Sequence, residues 1–456
     1  MPAPAEWLKF APPPRPLTGS DKYHVFLSYG SVNRPWVLNL YDTLRELGYA
    51  VFLDQVRLKP GDRLIKELQA GLQASQSGVL VWSKKTADSD WVQREYETME
   101  TLASKKPGFQ FVPLRLDDAD LELFAANRIF LDFSSYPDGP NGGELIRLLH
   151  GLVGQPLSPD AARFASDQDE IAADELTKIR AAIDVGNAPR LKELFAAGGP
   201  SWRTSAVLAA RAAEGLTKLG DNAGAIDILE KIGQQFPKAI RPQQLRALAL
   251  ARRGGDGDLE KAQEILGVLV QKGEKDPETL GIFARTWMDR YTKSGDTAQL
   301  KRSRDLYAEA FEGAPDDYYT GINAAAKSVF LGTPADLAKA AEYAARVQKI
   351  VGETPKANDY WWTATVGEVF LIRRMFDDAA RLYEAAVSMA PSETGSHKST
   401  WQQVCRLMEK LQPAPAERAR IREPFSHLPD CATAAGVEAV TETVRRLAPA
   451  GTTVYR

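Results

Sequence analysis

The chain has 456 residues, of which 44% are hydrophobic and 26% are charged. This composition is typical of globular proteins and excludes a disordered or fibrous chain, while the length predicts two or three domains. The 57 lysines and arginines nearly balance the 60 aspartates and glutamates. The resulting net charge of −3 gives the chain no general electrostatic attraction to nucleic acid or to anionic membranes.

Three sequence features bear on where the protein resides. Residues 1–19 are rich in proline and lack both the basic and the apolar segment of a secretory signal, so we predict a short extended arm. No run of 18 apolar residues occurs, and we expect no membrane-spanning helix. The two cysteines, Cys405 and Cys431, cannot form a disulfide framework and lack zinc-ligand spacing. We therefore expect a cytoplasmic protein without a metal.

Residues 20–154 alternate short β-rich runs with amphipathic segments. Near-continuous apolar strands separated by helices are typical of a parallel sheet that is covered on both faces. This part of the sequence therefore predicts an α/β domain with a doubly wound sheet. The predicted strands are YHVFLS (Tyr23–Ser28), YAVFLD (Tyr49–Asp54), GVLVWS (Gly78–Ser83), FQFVPLRL (Phe109–Leu116) and RIFLDF (Arg128–Phe133).

After a predicted linker at 155–169, the strands give way to helices that we expect to fill residues 170–456. Five helical runs each reach a proline, and these prolines are spaced 40, 38, 40 and 36 residues apart. A turn such as Gly-Asp precedes each second helix, and the proline ring cannot continue the hydrogen-bond ladder. Two helices per unit predict an all-α solenoid, with a C-terminal cap. The five prolines are Pro237, Pro277, Pro315, Pro355 and Pro391.

The helical units resemble tetratricopeptide repeats, although their period exceeds the 34 residues of that family. The best match is DDAARLYEAAVSMAP (Asp377–Pro391). Together with the preceding α/β domain, the array also resembles the TRAFs-binding region of certain signalling kinases. The aromatic stretch Tyr360–Trp362 has two interpretations, as a ligand platform or as packing between repeat helices.

The familiar catalytic motifs are missing from the sequence, which has no P-loop, no H-E-x-x-H and no G-x-S-x-G. Candidate residues instead follow the first three predicted strands, at the edge where open α/β sheets bind ligands. Trp91 and Glu95 are four residues apart and therefore share one face of a predicted helix. The full set is Ser28, Tyr29, Gly30, Ser31, Asp54, Arg57, Trp82, Ser83, Trp91 and Glu95.

Four motifs, in order, make residues 20–153 resemble the Toll/interleukin-1 receptor (TIR) domain. VFLSY is similar to the family's first strand, and Phe52–Gly61 to its BB loop. SKKTADSDWVQRE is similar to the segment that contains the family's W-x-x-x-E helix, and FVPLRL to a later strand. The resemblance implies a flavodoxin-like sheet.

Enzymatic TIR domains cleave NAD+ at the nicotinamide glycosidic bond, and the resemblance places their essential glutamate at Glu95. It implies that Ser28–Ser31 border the adenosine or phosphate groups, that Asp54–Pro60 form a mobile loop, and that Trp91 contacts nicotinamide. Many relatives have a polar or basic residue at the position of Gly30, and Arg34 or Arg57 could substitute for it in contacting phosphate. NAD+ is then the substrate, and no cofactor is expected.

Each of these assignments has a plainer alternative. Glu95 could be a solvated helix carboxylate, as we expect of Glu97 and Glu100, and Trp91 could pack in the core. Pro60 and Gly61 could form only a turn.

The leading hypothesis is an NAD+ glycohydrolase that produces nicotinamide and either ADP-ribose or a cyclised form. TIR self-association, in oligomers or filaments, would activate it. A protein or ligand bound to the repeats would regulate it, in innate immunity or anti-phage defence. The alternative is a non-enzymatic scaffold that recruits partners through its repeats. Action on nucleic acid is a third hypothesis, and the net charge and the lack of a basic stripe disfavour it.

Overall fold

The computed structural model describes residues 5–53, 64–84, 86, 90–117, 119, 129–137, 139–391, 393–429 and 431. The chain forms two compact units that divide between Thr286 and Trp287. Within the described residues, no helix is long and apolar enough to cross a membrane. The predicted fold class, an α/β domain followed by a helical solenoid, is confirmed.

A parallel sheet with the strand order β2-β1-β3-β4-β5 forms the centre of the α/β domain. Ser28 pairs with Leu80 and Tyr29 with Val81, so β1 and β3 end at the same edge. All five predicted strands are present, although the second and fifth are only two residues long. The strands are β1 (Tyr23–Tyr29), β2 (Val51–Phe52), β3 (Ser75–Trp82), β4 (Gln110–Arg115) and β5 (Leu131–Asp132).

Helices cover both faces of this sheet. Because successive side chains of a strand point to opposite faces, Leu27 packs in the layer of α2 and α5, while Phe26 packs in the layer of α3 and α4. The same alternation directs Ser28 and Tyr29 to opposite faces at the end of β1. The helices are α1 (Ala5–Phe10), α2 (Arg34–Glu46), α3 (Leu64–Gln73), α4 (Asp90–Lys105) and α5 (Gly142–Val153).

The N-terminal arm differs from the extended segment that its prolines predicted, because Ala5–Phe10 form a helix. Trp7 is fully buried, and its ring lies 5.9 Å from that of Phe164. The ring nitrogen Nε2 of His150 lies 2.8 Å from the carbonyl oxygen of Phe10. Burial of this tryptophan outweighs the preference of the proline-rich composition for an extended chain.

The predicted linker is also mostly helical, since α6 (Pro159–Asp184) begins within it. Ser158 accepts a hydrogen bond from the backbone N–H of Ala161 and caps this helix, and Pro159 occupies its first turn. Helices then complete the first unit, up to and including the first part of α13. They are α7 (Ala188–Ala197), α8 (Pro200–Thr204), α9 (Val207–Lys218), α10 (Asn222–Gln235), α11 (Ile240–Arg253), α12 (Asp258–Gln271) and α13 (Pro277–Ser294).

The second unit continues the helical pairs. Pro315 and Pro391 follow the ends of helices as predicted, whereas Pro277 begins α13 instead of ending α12. Residues 432–456, which belong to the predicted C-terminal cap, lie outside the described residues. The helices are α14 (Thr297–Gly313), α15 (Tyr318–Leu331), α16 (Pro334–Val351), α17 (Tyr360–Ile372), α18 (Phe376–Met389), α19 (Thr394–Leu411) and α20 (Pro415–Arg422).

The aromatic stretch at the start of α17 serves mainly as packing. Tyr360 is buried, and its hydroxyl donates a 2.9 Å hydrogen bond to the hydroxyl of Thr400. Trp362 is half-buried, with its ring 5.3 Å from that of Tyr318. Trp361 is exposed.

Candidate active site

Glu95 lies in the first turns of α4, where its side chain is only 9% exposed. The buried hydroxyl of Ser28, at the end of β1, donates a hydrogen bond to Oε2 of this carboxylate. Glu97, two residues further along the helix, is exposed. A buried carboxylate is costly unless it has hydrogen-bond partners. Glu95 is therefore not a solvated helix carboxylate, and the structure joins two predicted site residues that are 67 positions apart.

Tyr29 points to the opposite face of the sheet from Ser28. Its hydroxyl oxygen accepts a 2.7 Å hydrogen bond from Nη1 of Arg34, the first residue of α2. The other terminal nitrogen of Arg34, Nη2, lies 3.5 Å from Oδ2 of Asp276, and both side chains are buried. The expectation that Arg34 could contact phosphate is not met, because its guanidinium lies among protein partners.

Gly30 is required by a close approach between the loops that follow β1 and β3. A Cβ atom at this position would lie 2.2 Å from Cγ2 of Thr86. The hydroxyl oxygen of Thr86 accepts a 2.9 Å hydrogen bond from the backbone N–H of Ser83, which fixes the threonine. The polar or basic residue that many TIR relatives have here would displace this loop.

Ser83 borders a cavity of about 320 Å³ at the same edge of the sheet, on the α2 side. Its hydroxyl oxygen accepts a 3.0 Å hydrogen bond from Nδ2 of Asn33. This volume lies within the range of small-molecule sites. Asn33 and Asp117 were not among the predicted site residues. Asp117 follows β4, at the carboxyl edge where open α/β sheets bind ligands, so the sequence did carry a signal for it. The lining residues are Val32, Asn33, Pro35, Trp36, Ser83, Leu116, Asp117 and Pro137.

The remaining predicted site residues are placed differently or not described. Trp82 is 2% exposed in the apolar layer with Phe26 and Met99, so the prediction that it binds substrate is corrected: it is a core residue. Trp82 and Ser83 are consecutive residues, so their side chains point to opposite faces of the sheet. The side chain of Trp82 points into the layer of α3 and α4. The backbone of Ser31 and of Trp91 is helical, but their side chains lie outside the described part of the chain. Asp54 and Arg57, with Pro60 and Gly61, also lie outside it.

Comparison with known families supports this reading of the fold. Residues 25–147 match the family model of the TIR domain. Residues 206–329 match the model named Tetratricopeptide Repeats-Sensor. The chain has an N-terminal TIR domain and a sensor repeat domain. The recognition of both parts from the sequence is confirmed.

Similar curated proteins act on NAD+ or are named as synthases of a cyclic ADP-ribose. The probable 2′ cyclic ADP-D-ribose synthase TcpB of Brucella melitensis biotype 1 is 30% identical over 87 residues, which are 19% of this chain and 35% of that protein. The NAD(+) hydrolase PdTIR of Paracoccus denitrificans is 32% identical over 89 residues, 19% of this chain and 30% of that protein. The 2′ cyclic ADP-D-ribose synthase AbTIR of Acinetobacter baumannii is 34% identical over 92 residues, 20% of this chain and 34% of that protein.

These similarities are confined to the TIR domain. The chain spans about a third of the length of the curated relatives that it matches. A solved tetratricopeptide-repeat protein of Thermus thermophilus aligns with 45% of this chain and 98% of its own, at 15% identity and a TM-score of 0.34. That likeness is too slight to support any conclusion.

Proposed function

We propose that the TIR domain cleaves the bond between nicotinamide and ribose in NAD+, with Glu95 as the catalytic carboxylate. The observation that carries this proposal is the buried pair of Ser28 and Glu95 at the carboxyl edge of the sheet. Open α/β sheets bind ligands at this edge. The similarity of the TIR domain to NAD+ hydrolases and cyclic ADP-ribose synthases supports the choice of substrate.

One carboxylate suffices for this chemistry. When the bond between ribose C1′ and the pyridinium nitrogen breaks, its electron pair neutralises the ring, so nicotinamide leaves without needing a proton. The ribose then develops the positive charge of an oxocarbenium ion, which the carboxylate of Glu95 stabilises. Ser28 holds the carboxylate in one orientation, so little reorganisation accompanies the reaction. Attack by water gives ADP-ribose, and attack by a hydroxyl of the same molecule gives a cyclised product; in either case the attacking oxygen releases its proton to the solvent.

In this proposal the cavity beside Ser83 holds a part of NAD+ that does not react, with Asn33 and Asp117 as its polar contacts. TIR domains of several chains associate to reach full activity. A ligand or protein on the sensor repeats controls that step. The protein acts in the cytoplasm, in defence against infection, without a cofactor, a membrane or a nucleic-acid partner.

The test is nicotinamide release from NAD+ by the full chain at high protein concentration, with and without a crowding agent. We expect Glu95→Gln to abolish release, because the amide carries no charge to stabilise the ribose cation. The matched control is Glu97→Gln on the same helix, whose exposed carboxylate contributes nothing to the site, and it should retain wild-type turnover. Turnover by Glu95→Gln at the wild-type rate would exclude this carboxylate. No turnover by the wild type would favour the non-enzymatic scaffold.

A further inference from the structure

Helix α2 of the TIR domain contacts the sensor repeats within the first unit. Asp42, on α2, is buried, and its Oδ2 accepts hydrogen bonds from the backbone N–H groups of Ile240 at 2.8 Å and of Arg241 at 3.2 Å. These residues begin α11, and the preceding residue, Ala239, provides no side-chain cap. The first N–H groups of a helix need such an acceptor. The side-chain carboxyl group of a TIR residue therefore caps a helix of the sensor domain.

A second contact joins Arg34 to Asp276 of the sensor domain. Asp276 caps α13: its Oδ1 accepts from the backbone N–H groups of Glu278 and Thr279, each at 3.1 Å. The hydroxyl of Thr279 donates to Oδ2 at 2.6 Å. Burial favours the neutral acid, but the charge of Arg34 and the hydrogen bonds from Thr279 hold the pKa of Asp276 below its ordinary value. Arg34 therefore faces a fixed negative charge.

The end of β1 is thus held from both faces of the sheet. On one face, Ser28 donates to Glu95. On the other face, Tyr29 accepts from Arg34, which Asp276 holds. Adjacent residues of a strand share a peptide plane, so a change in the support of Tyr29 changes the position of Ser28.

We propose that Arg34 is a positioning residue through which the sensor repeats set the geometry of the Ser28–Glu95 pair. This inference rests on the proposed function of that pair. Removing the charge of Asp276 takes a counterion away from the buried guanidinium, which is strongly unfavourable. Arg34 then turns toward water and releases Tyr29, and the end of β1 loosens. A ligand that shifts the first turn of α13 acts on the catalytic pair by the same route.

The test uses Asp276→Asn in the full chain. Asparagine caps helices as well as aspartate does, so α13 keeps its cap while the ion pair is lost. We expect faster amide hydrogen exchange in residues 27–33. We also expect a kcat for NAD+ cleavage that is about 10- to 100-fold lower, with a smaller change in KM, as for a displaced catalytic group. Arg34→Gln should have the same effects, and the double variant should be no worse than either single variant.

Asp42→Ala is the matched control, because it removes a contact of the same interface and leaves Arg34 in place. It should speed exchange at 240–243 and leave both kcat and residues 27–33 unchanged. Hydrogen exchange at 27–33 that is as fast in Asp42→Ala as in Asp276→Asn would indicate that the TIR domain separates from the sensor helices as a whole. That result would overturn the role of Arg34. Unchanged exchange at 27–33 in Asp276→Asn, or faster exchange with a wild-type kcat, would also overturn it. Hydrogen exchange needs no activity, so a wild type without turnover would count against the proposed function and leave the link from Asp276 to β1 intact.

Discussion

At the scale of single residues, the loop after β1 has no room for a side chain at Gly30. A methyl group there would lie 2.2 Å from Cγ2 of Thr86, and Thr86 cannot swing away because it is buried and accepts a hydrogen bond from Ser83. We expect Gly30→Ala to lower the free energy of unfolding by about 1–3 kcal/mol, the usual cost of overpacking. Urea denaturation of the full chain measures this change.

Thr86→Ser supplies the control for this prediction. It removes the methyl group that a Cβ atom at position 30 would contact, and it keeps the hydroxyl that accepts a hydrogen bond from the backbone N–H of Ser83. The double variant Gly30→Ala, Thr86→Ser should regain most of the lost stability. If the double variant is as unstable as Gly30→Ala, backbone conformation rather than contact with Thr86 makes glycine necessary at this position.

At the scale of secondary-structure elements, the contact of α2 with α11 makes the stability of the first unit depend on pH. Burial raises the pKa of Asp42 to about 8, against an ordinary value of 3.8, although its hydrogen bonds to Arg241 and Ile240 and the charge of Arg45 lower it in part. Glu274 adds to the rise, and burial raises the pKa of Glu274 itself to about 7.

Between about pH 4 and pH 8 the folded protein therefore holds a proton on Asp42 that the unfolded chain has lost, so the free energy of unfolding falls as pH rises. Asp42→Asn keeps an acceptor for α11 but cannot titrate. We expect its unfolding free energy, from denaturant titrations across this range, to fall less steeply than that of the wild type. Because the pKa of Glu274 is also raised, the unfolding free energy of Asp42→Asn should still fall somewhat as pH rises. Parallel slopes for the two proteins would contradict the assignment to Asp42.

The same elements show which parts of the structure the sequence could predict. The strands were predictable because apolar runs between turns indicate buried β-structure. Glu95 was singled out by the resemblance to the TIR family, and its catalytic role stays a prediction. Ser158 and Pro159 form a recognisable start for α6, and that signal was missed. The helix around Trp7 and the capping by Asp42 were not predictable, because their partners lie far along the chain: Asp42 and Ile240 are 198 residues apart. Sequence periodicity carries no information about such pairs.

At the scale of the whole molecule, the compact units do not coincide with the family boundaries. The division after Thr286 falls inside the sensor match at 206–329, and the TIR domain shares its unit with the first sensor helices. A unit with its own core unfolds cooperatively. We therefore expect calorimetry to resolve two transitions, with the TIR domain and the helices up to Thr286 melting together.

One variant in each unit shows which unit melts in which transition. Gly30→Ala should lower the temperature of one of them, and hydrogen exchange at that temperature should show α11 opening with β1. Phe425→Ala, in the core of the second unit beside Tyr383 and Trp401, should lower only the other transition. Melting of β1 before α11 would mean that the TIR domain unfolds by itself. In that case Asp42 and Arg34 would join two independently folding domains, and binding on the sensor repeats would still reach the Ser28–Glu95 pair through Arg34.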